Sequence, residues 1–205
     1  MPRETAKVEI CKILNKINAV QFGTFKLSSG RMSPYYIDLR IVPSFPDAFQ
    51  KICNFYADFI KKEVGEKNFE RVAGIPVGGL PFASVISYTL EKPFLYIRRG
   101  VRRHGRQRRI EGILAPGDRV LLVDDLVTTG LSLQRGAKSI TAEGGVVTDA
   151  VALLDREEGG KGRLEKGGIK LRSLLNIRET AQNLCEIGAI DEDQLKTILR
   201  QIKKK

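Results

Sequence analysis

The chain is 205 residues long with a formal net charge of +11, a size that fits one decorated domain rather than two full ones. No run approaches the roughly 20 apolar residues that span a membrane, and the N-terminus leads into a mixed charged helix rather than a signal peptide. Cys11, Cys53 and Cys185 are odd in number and far apart, so the pattern excludes a disulfide scaffold or zinc spacing and fits idle thiols in a reducing cytoplasm.

In chain order, residues 4–20 carry an amphipathic pattern with Val8, Cys11, Ile13, Leu14 and Ile17 apolar, which predicts a helix. Residues 22–40 mix aromatics, glycine, serine and proline and read as short strands and turns, and residues 46–64 as a second helix. Alternation follows: strand 71–75, helix 81–90, strand 94–98, polar loop 99–112, strand 119–123, helix 132–142 and strand 146–154. Strands alternating with helices imply right-handed crossovers and a parallel sheet. After Gly159 and Gly160 the pattern changes to a strand at 169–175 and helices at 177–187 and 191–202. The fold expected is therefore α/β, a parallel central sheet flanked by helices with its core at about residues 45–155, and a small hood built from about residues 1–44 and 160–205.

Residues 120–132, Val-Leu-Leu-Val-Asp-Asp-Leu-Val-Thr-Thr-Gly-Leu-Ser, carry the most information. A short apolar run suits a buried parallel strand. Asp124 and Asp125 then stand where the strand should end, followed by Leu126, Val127, Thr128, Thr129, Gly130, Leu131 and Ser132. In an open α/β sheet, ligands sit at the carboxyl ends of strands. Backbone N–H groups at the start of the next helix suit a phosphate, and hydroxyls add donors. The two carboxylates can accept hydrogen bonds from a vicinal sugar diol.

Three further segments carry candidate chemistry. Residues 22–40 hold Gly23 and Gly30 for tight turns, and Tyr35 and Tyr36, whose flat faces and hydroxyls suit a planar ring. In Ala-Gly-Ile-Pro-Val-Gly-Gly-Leu-Pro-Phe, residues 73–82, Gly74, Gly78 and Gly79 let backbone amides converge on an anion. Arg98, Arg99, Arg102, Arg103, Arg106, Arg108 and Arg109 crowd one acid-free stretch that also holds the single histidine, His104.

Residues 120–132 resemble the phosphoribosyl diphosphate (PRPP) motif of the type I phosphoribosyltransferases, and residues 22–40 resemble the N-terminal signature of the orotate phosphoribosyltransferases. Residues 73–82 are similar to that family's diphosphate loop. Tyr-Ile-Arg-Arg at 96–99, His-Gly at 104–105 and Ile-Glu-Gly at 110–112 resemble its mobile catalytic loop. Val-Ala-Leu-Leu-Asp-Arg-Glu-Glu-Gly-Gly at 151–160 resembles its final sheet strand and the following loop.

The resemblance implies transfer of phosphoribose from PRPP to orotate, giving orotidine 5′-monophosphate in pyrimidine (UMP) biosynthesis. Asp124 and Asp125 would hold the ribose hydroxyls, and residues 126–132 would cradle the 5′-phosphate. Ser28, Tyr35, Tyr36, Thr128 and Arg156 would meet the orotate. Gly78, Gly79, Arg98, Arg99, Arg102 and His104 would bind or cover the diphosphate, with Arg102, His104 and the two aspartates carrying catalysis. Mg²⁺ is the implied cofactor, held through PRPP rather than by a protein cage. A homodimer, a separate orotidylate decarboxylase as partner, and no membrane or nucleic-acid partner complete the expectation.

Two positions depart from the family's best-known pattern. Arg102 stands where a lysine precedes the histidine by two residues, and Ser28 stands where some members place lysine. Arginine keeps the charge but cannot donate a proton. Two rival readings remain: a phosphoribosyltransferase for another base, and a PRPP-binding regulator of RNA or DNA, which the basic cluster would suit.

Overall fold

The structure is a computed structural model that describes residues 3–26, 30, 32–98, 100 and 109–203. A six-stranded sheet in the order β5-β4-β3-β6-β7-β8 forms its centre. Its members are β3 (Arg71–Gly74), β4 (Phe94–Ile97), β5 (Ile110–Glu111), β6 (Val120–Val127), β7 (Asp149–Asp155) and β8 (Lys170–Asn176). All neighbours pair in parallel except β5, which runs antiparallel to β4 with Ile97 opposite Ile110.

Side chains alternate across a strand, and this divides the interior in two. Val72, Leu121, Val123 and Val151 pack toward Phe82, Ala83 and Ile86 of α3 (Gly79–Thr89) and Tyr56 and Ile60 of α2 (Pro46–Glu63). Ala73, Leu122, Ala150 and Ala152 pack toward Leu133, Ala137 and Ile140 of α4 (Leu131–Ala142) and Leu164 of α5 (Gly160–Glu165). A strand covered on both faces must be apolar throughout, which is why residues 120–123 form an unbroken buried run.

The helix boundaries follow local chemistry. Pro46 opens α2 with its φ already helical, and Gly65, at φ 86°, ends it by donating to the Ile60 carbonyl at 3.0 Å. Asn176 caps α6 (Ile177–Glu186) by accepting from the Glu179 N–H at 2.8 Å. A second, two-stranded antiparallel sheet joins β1 (Val20–Lys26) to β2 (Met32–Ile37). It contacts α1 (Arg3–Lys16) and α7 (Glu192–Lys203), so both ends of the chain meet in one layer over the sheet.

Three expectations need correction. The strand carrying the acidic pair does not end at residue 123: β6 continues through Asp124 and Asp125 to Val127, because β7 goes on pairing with it after β3 has stopped at Gly74. The sheet does not end near residue 155, since β8 extends it in parallel beside β7. The crossover between them, α5, is only 6 residues long, too short for a helical period to stand out in the sequence. The stretch 99–112 is not wholly a loop, because Ile110 and Glu111 return as β5.

β3 crosses to β4 on one side and β6 crosses to β7 on the other, so the switch point of the sheet lies between the carboxyl ends of β3 and β6. Two glycines close that junction. A Cβ on Gly79 would lie 2.8 Å from both the Val123 carbonyl oxygen and the Asp124 Cα, and one on Gly78 would lie 2.1 Å from Asp125 Oδ2. The start of α3 thus rests on β6 backbone with no side chain between. Gly79→Ala is expected to cost about 1–3 kcal/mol through overpacking, a fall in melting temperature of roughly 2–4 °C per kcal/mol for a chain of this size. Gly162→Ala in α5, where an added Cβ meets nothing within 4 Å, should leave the melting temperature unchanged or raised. Thermal denaturation of both variants checks this.

Candidate active site

The switch-point crevice collects the acidic pair. Asp124 is 6% exposed and its Oδ1 accepts the Asp125 N–H at 2.9 Å. The Tyr56 hydroxyl, at the buried face of α2, donates to the Asp124 carbonyl at 3.0 Å. Burial pushes the Asp124 carboxyl well above the ordinary range, and the neighbouring Asp125 charge adds to this. Asp125 is also raised, chiefly by burial, with Arg40 among the groups opposing the shift. The sequence placed these side chains beyond the strand and outside the core; Asp124 is in fact enclosed within it.

Immediately beyond, residues 126–133 fold around a cavity of about 50 Å³ that Asp124 also lines. Gly130 adopts φ 75° and starts α4, a left-handed turn that suits glycine. An added Cβ there would meet the Gly160 carbonyl oxygen at 3.0 Å, and one on Gly160 would lie 2.7 Å from the Thr128 carbonyl oxygen. The start of α5 therefore buttresses the Thr128, Thr129 and Gly130 turn from behind.

Arg156 follows β7, its N–H donating to the Val127 carbonyl at 2.9 Å. It is 6% exposed, its guanidinium lies 4.9 Å from the Tyr35 ring centre, and its Nε is 3.1 Å from Glu158 Oε1. Arg156 Nε and Nη2 and Glu158 Oε1 are buried without a hydrogen-bond partner among the described residues. Tyr35 and Tyr36 do not share a face. Tyr35 is 1% exposed with Arg156 over its ring, whereas Tyr36 lies on the other side of β2 against Phe25 and accepts from Arg40 Nη2 at 3.1 Å.

On the α4 side, Ile75, Pro76, Ile97, Ser132 and three arginines, Arg98, Arg109 and Arg135, line a cleft of about 300 Å³. Arg98 pairs with Glu111 at 2.8 Å, and its N–H donates to the Arg109 carbonyl, closing the base of the arginine-rich segment. Ser28, Arg99, Arg102 and His104 lie outside the described residues. The structure thus gathers Gly78, Gly79, Asp124, Asp125 and residues 126–132 at one crevice, with Arg156 beside its far end and Arg98 beside Ser132. Sequence reading passed over Tyr56, Glu158 and Gly160, which shape this site. Tyr56 carries only the helical spacing of a core residue, while the Gly159-Gly160 pair was a visible signal of close approach.

Among the described residues no group of three or more histidine, cysteine, aspartate or glutamate side chains could hold a metal ion. The two adjacent carboxylates supply hard oxygen donors of the kind Mg²⁺ takes, and burial raises the pKa of both, so a cation beside them would favour their charged forms.

A strand-turn-helix junction beside an acidic pair at a sheet switch point is where an open α/β sheet binds its ligand, and comparison with known proteins gives the class. Residues 46–176 match the phosphoribosyl transferase domain family. Orotate phosphoribosyltransferase from Cenarchaeum symbiosum is 43% identical over 189 residues, 92% of each chain. The structure of orotate phosphoribosyltransferase from Aeropyrum pernix superposes with TM-score 0.73 at 30% identity over 87% of this chain and 99% of that one. Leishmania donovani UMP synthase superposes with TM-score 0.87 at 32% identity over 98% of this chain and 43% of the longer enzyme. The chain belongs to the phosphoribosyltransferases and, within them, to the orotate phosphoribosyltransferase family.

The raised Asp124 pKa has a stability consequence. The folded chain holds this proton more tightly than the unfolded chain, whose carboxyl has the ordinary value of about 3.9. The burial penalty is therefore absent below that pH and grows as pH rises toward the folded value. Asp124→Asn removes it. The variant should melt higher than the parent at pH 7, by roughly 2–4 °C for each kcal/mol recovered, with the gain vanishing near pH 4, while losing PRPP affinity. Melting curves from pH 4 to 8 measure this, and a variant less stable at pH 7 contradicts it.

Proposed function

We propose that this chain transfers the 5-phosphoribosyl group from PRPP to orotate, releasing diphosphate and orotidine 5′-monophosphate, the reaction from which its family takes its name. The carrying observation is Arg156: a buried guanidinium with an unpartnered Nη2, one residue beyond the strand that flanks the phosphate turn. Guanidinium binds carboxylate through parallel hydrogen bonds, and orotate is a pyrimidine that carries one.

In this reading Asp124 and Asp125 accept from the ribose 2′ and 3′ hydroxyls, and the turn of residues 126–132 holds the 5′-phosphate. C1′ then lies between Arg156 and the Gly78–Gly79 end of α3. Positive charge develops at C1′ as diphosphate departs, and the orotate ring nitrogen attacks from the opposite face. The chain needs no covalent nucleophile: its residues position the reactants and stabilise separating charge. Asp124 and Asp125 would sit nearest a Mg²⁺ carried by PRPP, which supplies charge neutralisation for the leaving diphosphate. Arg98, Arg99, Arg102 and His104 cover that diphosphate, and the open cleft of Arg98, Arg109 and Arg135 draws the anionic substrate in. Tyr35, beside Arg156, is the tyrosine that would border the base, and family resemblance supports Ser28 as a further contact.

Family resemblance supports a homodimer whose arginine-rich segment serves the neighbouring subunit. A cytoplasmic setting suits three free thiols, and among the described residues no helix is long and apolar enough to cross a membrane. The product retains the base carboxylate, so forming UMP requires its removal, and a separate orotidylate decarboxylase is the natural partner.

Two measurements test the assignment. Arg156→Ala should raise the KM for orotate by about 10- to 100-fold, the scale of a charge-assisted hydrogen bond of roughly 1.5–3 kcal/mol, with the KM for PRPP little changed. Equal losses for both substrates would point to another base. At the second position charge is the requirement, so Arg102→Lys should stay within about tenfold of the parent in turnover, whereas Arg102→Ala should lose about 10²–10³, the effect of removing one transition-state donor. Full activity in the alanine variant would remove Arg102 from the mechanism.

A further inference from the structure

We propose that Glu158 is a positioning and selectivity residue for the base: it anchors the Arg156 guanidinium through Nε and supplies the counter-charge against which the incoming carboxylate competes. This rests on the reading of Arg156 as the orotate-binding group.

Local backbone geometry sets up the pair. The Glu157 N–H donates to Asp155 Oδ1 at 2.9 Å, and Glu157 adopts φ 54°, a left-handed conformation unusual for a side chain of this kind. Its carboxylate is held 3.4 Å from Arg178 Nη2 on α6. This reversal brings Glu158, two residues beyond Arg156, against that guanidinium. The side chains of both are 7% exposed, a degree of enclosure at which an ion pair is neither screened by salt nor free to reorient.

A guanidinium is a planar fork of five N–H donors. Here its central carbon lies 4.9 Å from the Tyr35 ring centre and its Nε lies 3.1 Å from Glu158 Oε1, an ion pair without hydrogen-bond alignment, so that among the described residues neither Nε nor Nη2 has a hydrogen-bond partner. The ring face and the ion pair thus confine the guanidinium on two sides, and Nη2 is presented in a fixed orientation rather than swept through rotamers.

The charge count follows. The Glu158 carboxylate already offsets part of the Arg156 charge before any base arrives. Orotate gains its hydrogen bonds to Nη2 but also brings a second carboxylate to the guanidinium, and like charges juxtaposed across a binding site weaken affinity. Glu158 therefore orders the fork at the expense of orotate affinity, which also speeds release of a product bearing the same carboxylate.

The two effects separate by substitution. Glu158→Gln keeps a polar oxygen and the side-chain volume beside Nε and deletes the charge; the KM for orotate should fall about threefold to tenfold, with the KM for PRPP unchanged. Glu158→Leu deletes the charge and the polar group together; the guanidinium loses its polar neighbour, and kcat/KM for orotate should fall tenfold or more. The opposite directions of the two variants on orotate are the signature, because a merely structural role would move both the same way and would move PRPP with them. Should the leucine variant fail to fold, the ratio of orotate to PRPP KM in the glutamine variant still decides. An unchanged or raised orotate KM in Glu158→Gln, beside a raised one in Arg156→Ala, overturns the role of Glu158 alone. An unchanged orotate KM in Arg156→Ala overturns the base-site reading itself.

Discussion

The close approach of the Gly78–Gly79 backbone to the end of β6 is the constraint on which the site depends. Parallel strands β3 and β6 separate beyond Gly74, and a crevice opens only because the next helix begins with residues that have no side chains to fill it. The acidic pair then lies directly against the first turn of α3, so the carboxylates and the amides of that turn share one small space. A methyl group at Gly79 would press on β6 backbone, and one at Gly78 would displace the Asp125 carboxylate. A second glycine contact, Gly130 against Gly160, fixes the turn of Thr128, Thr129 and Gly130. Both ends of the crevice are thus set by backbone packing, which is stiffer than any arrangement of long side chains.

What this scaffold holds is electrostatically expensive. Asp124 and Asp155 are buried carboxyls whose pKa values burial raises, and Arg156 and Glu158 form an enclosed ion pair. None of these groups is an efficient way to stabilise a fold, since apolar residues of similar volume would serve as well or better. They cluster at the carboxyl ends of β6 and β7, and the apolar layers on both faces of the sheet offset their cost. Concentration of such groups at one edge of an otherwise locally consistent structure is the pattern expected of a functional site.

The sequence by itself determined the alternation of strands and helices, the parallel sheet and the identity of the motif, because periodicity and turn chemistry are local properties. Residues 120–123 read as a strand covered on both sides, and Thr128, Thr129, Gly130 and Ser132 read as a turn suited to an anion at a helix start. The tertiary structure decided what depends on neighbours remote in the chain. Where β6 ends was set by how far β7 continues beside it; that β8 joins the sheet was hidden by the short α5; and the burial of Asp124 came from α2 and α3 closing over it. Likewise Tyr35 and Tyr36 are adjacent in sequence yet occupy opposite faces, Arg156 meets Tyr35 across the interface with the N-terminal hairpin, and left-handed Glu157 turns Glu158 back toward Arg156. Composition and spacing carry the strength of local preferences. Enclosure, charge pairing and the orientation of a guanidinium arise from long-range packing, and those are the properties that turn the motif into a site.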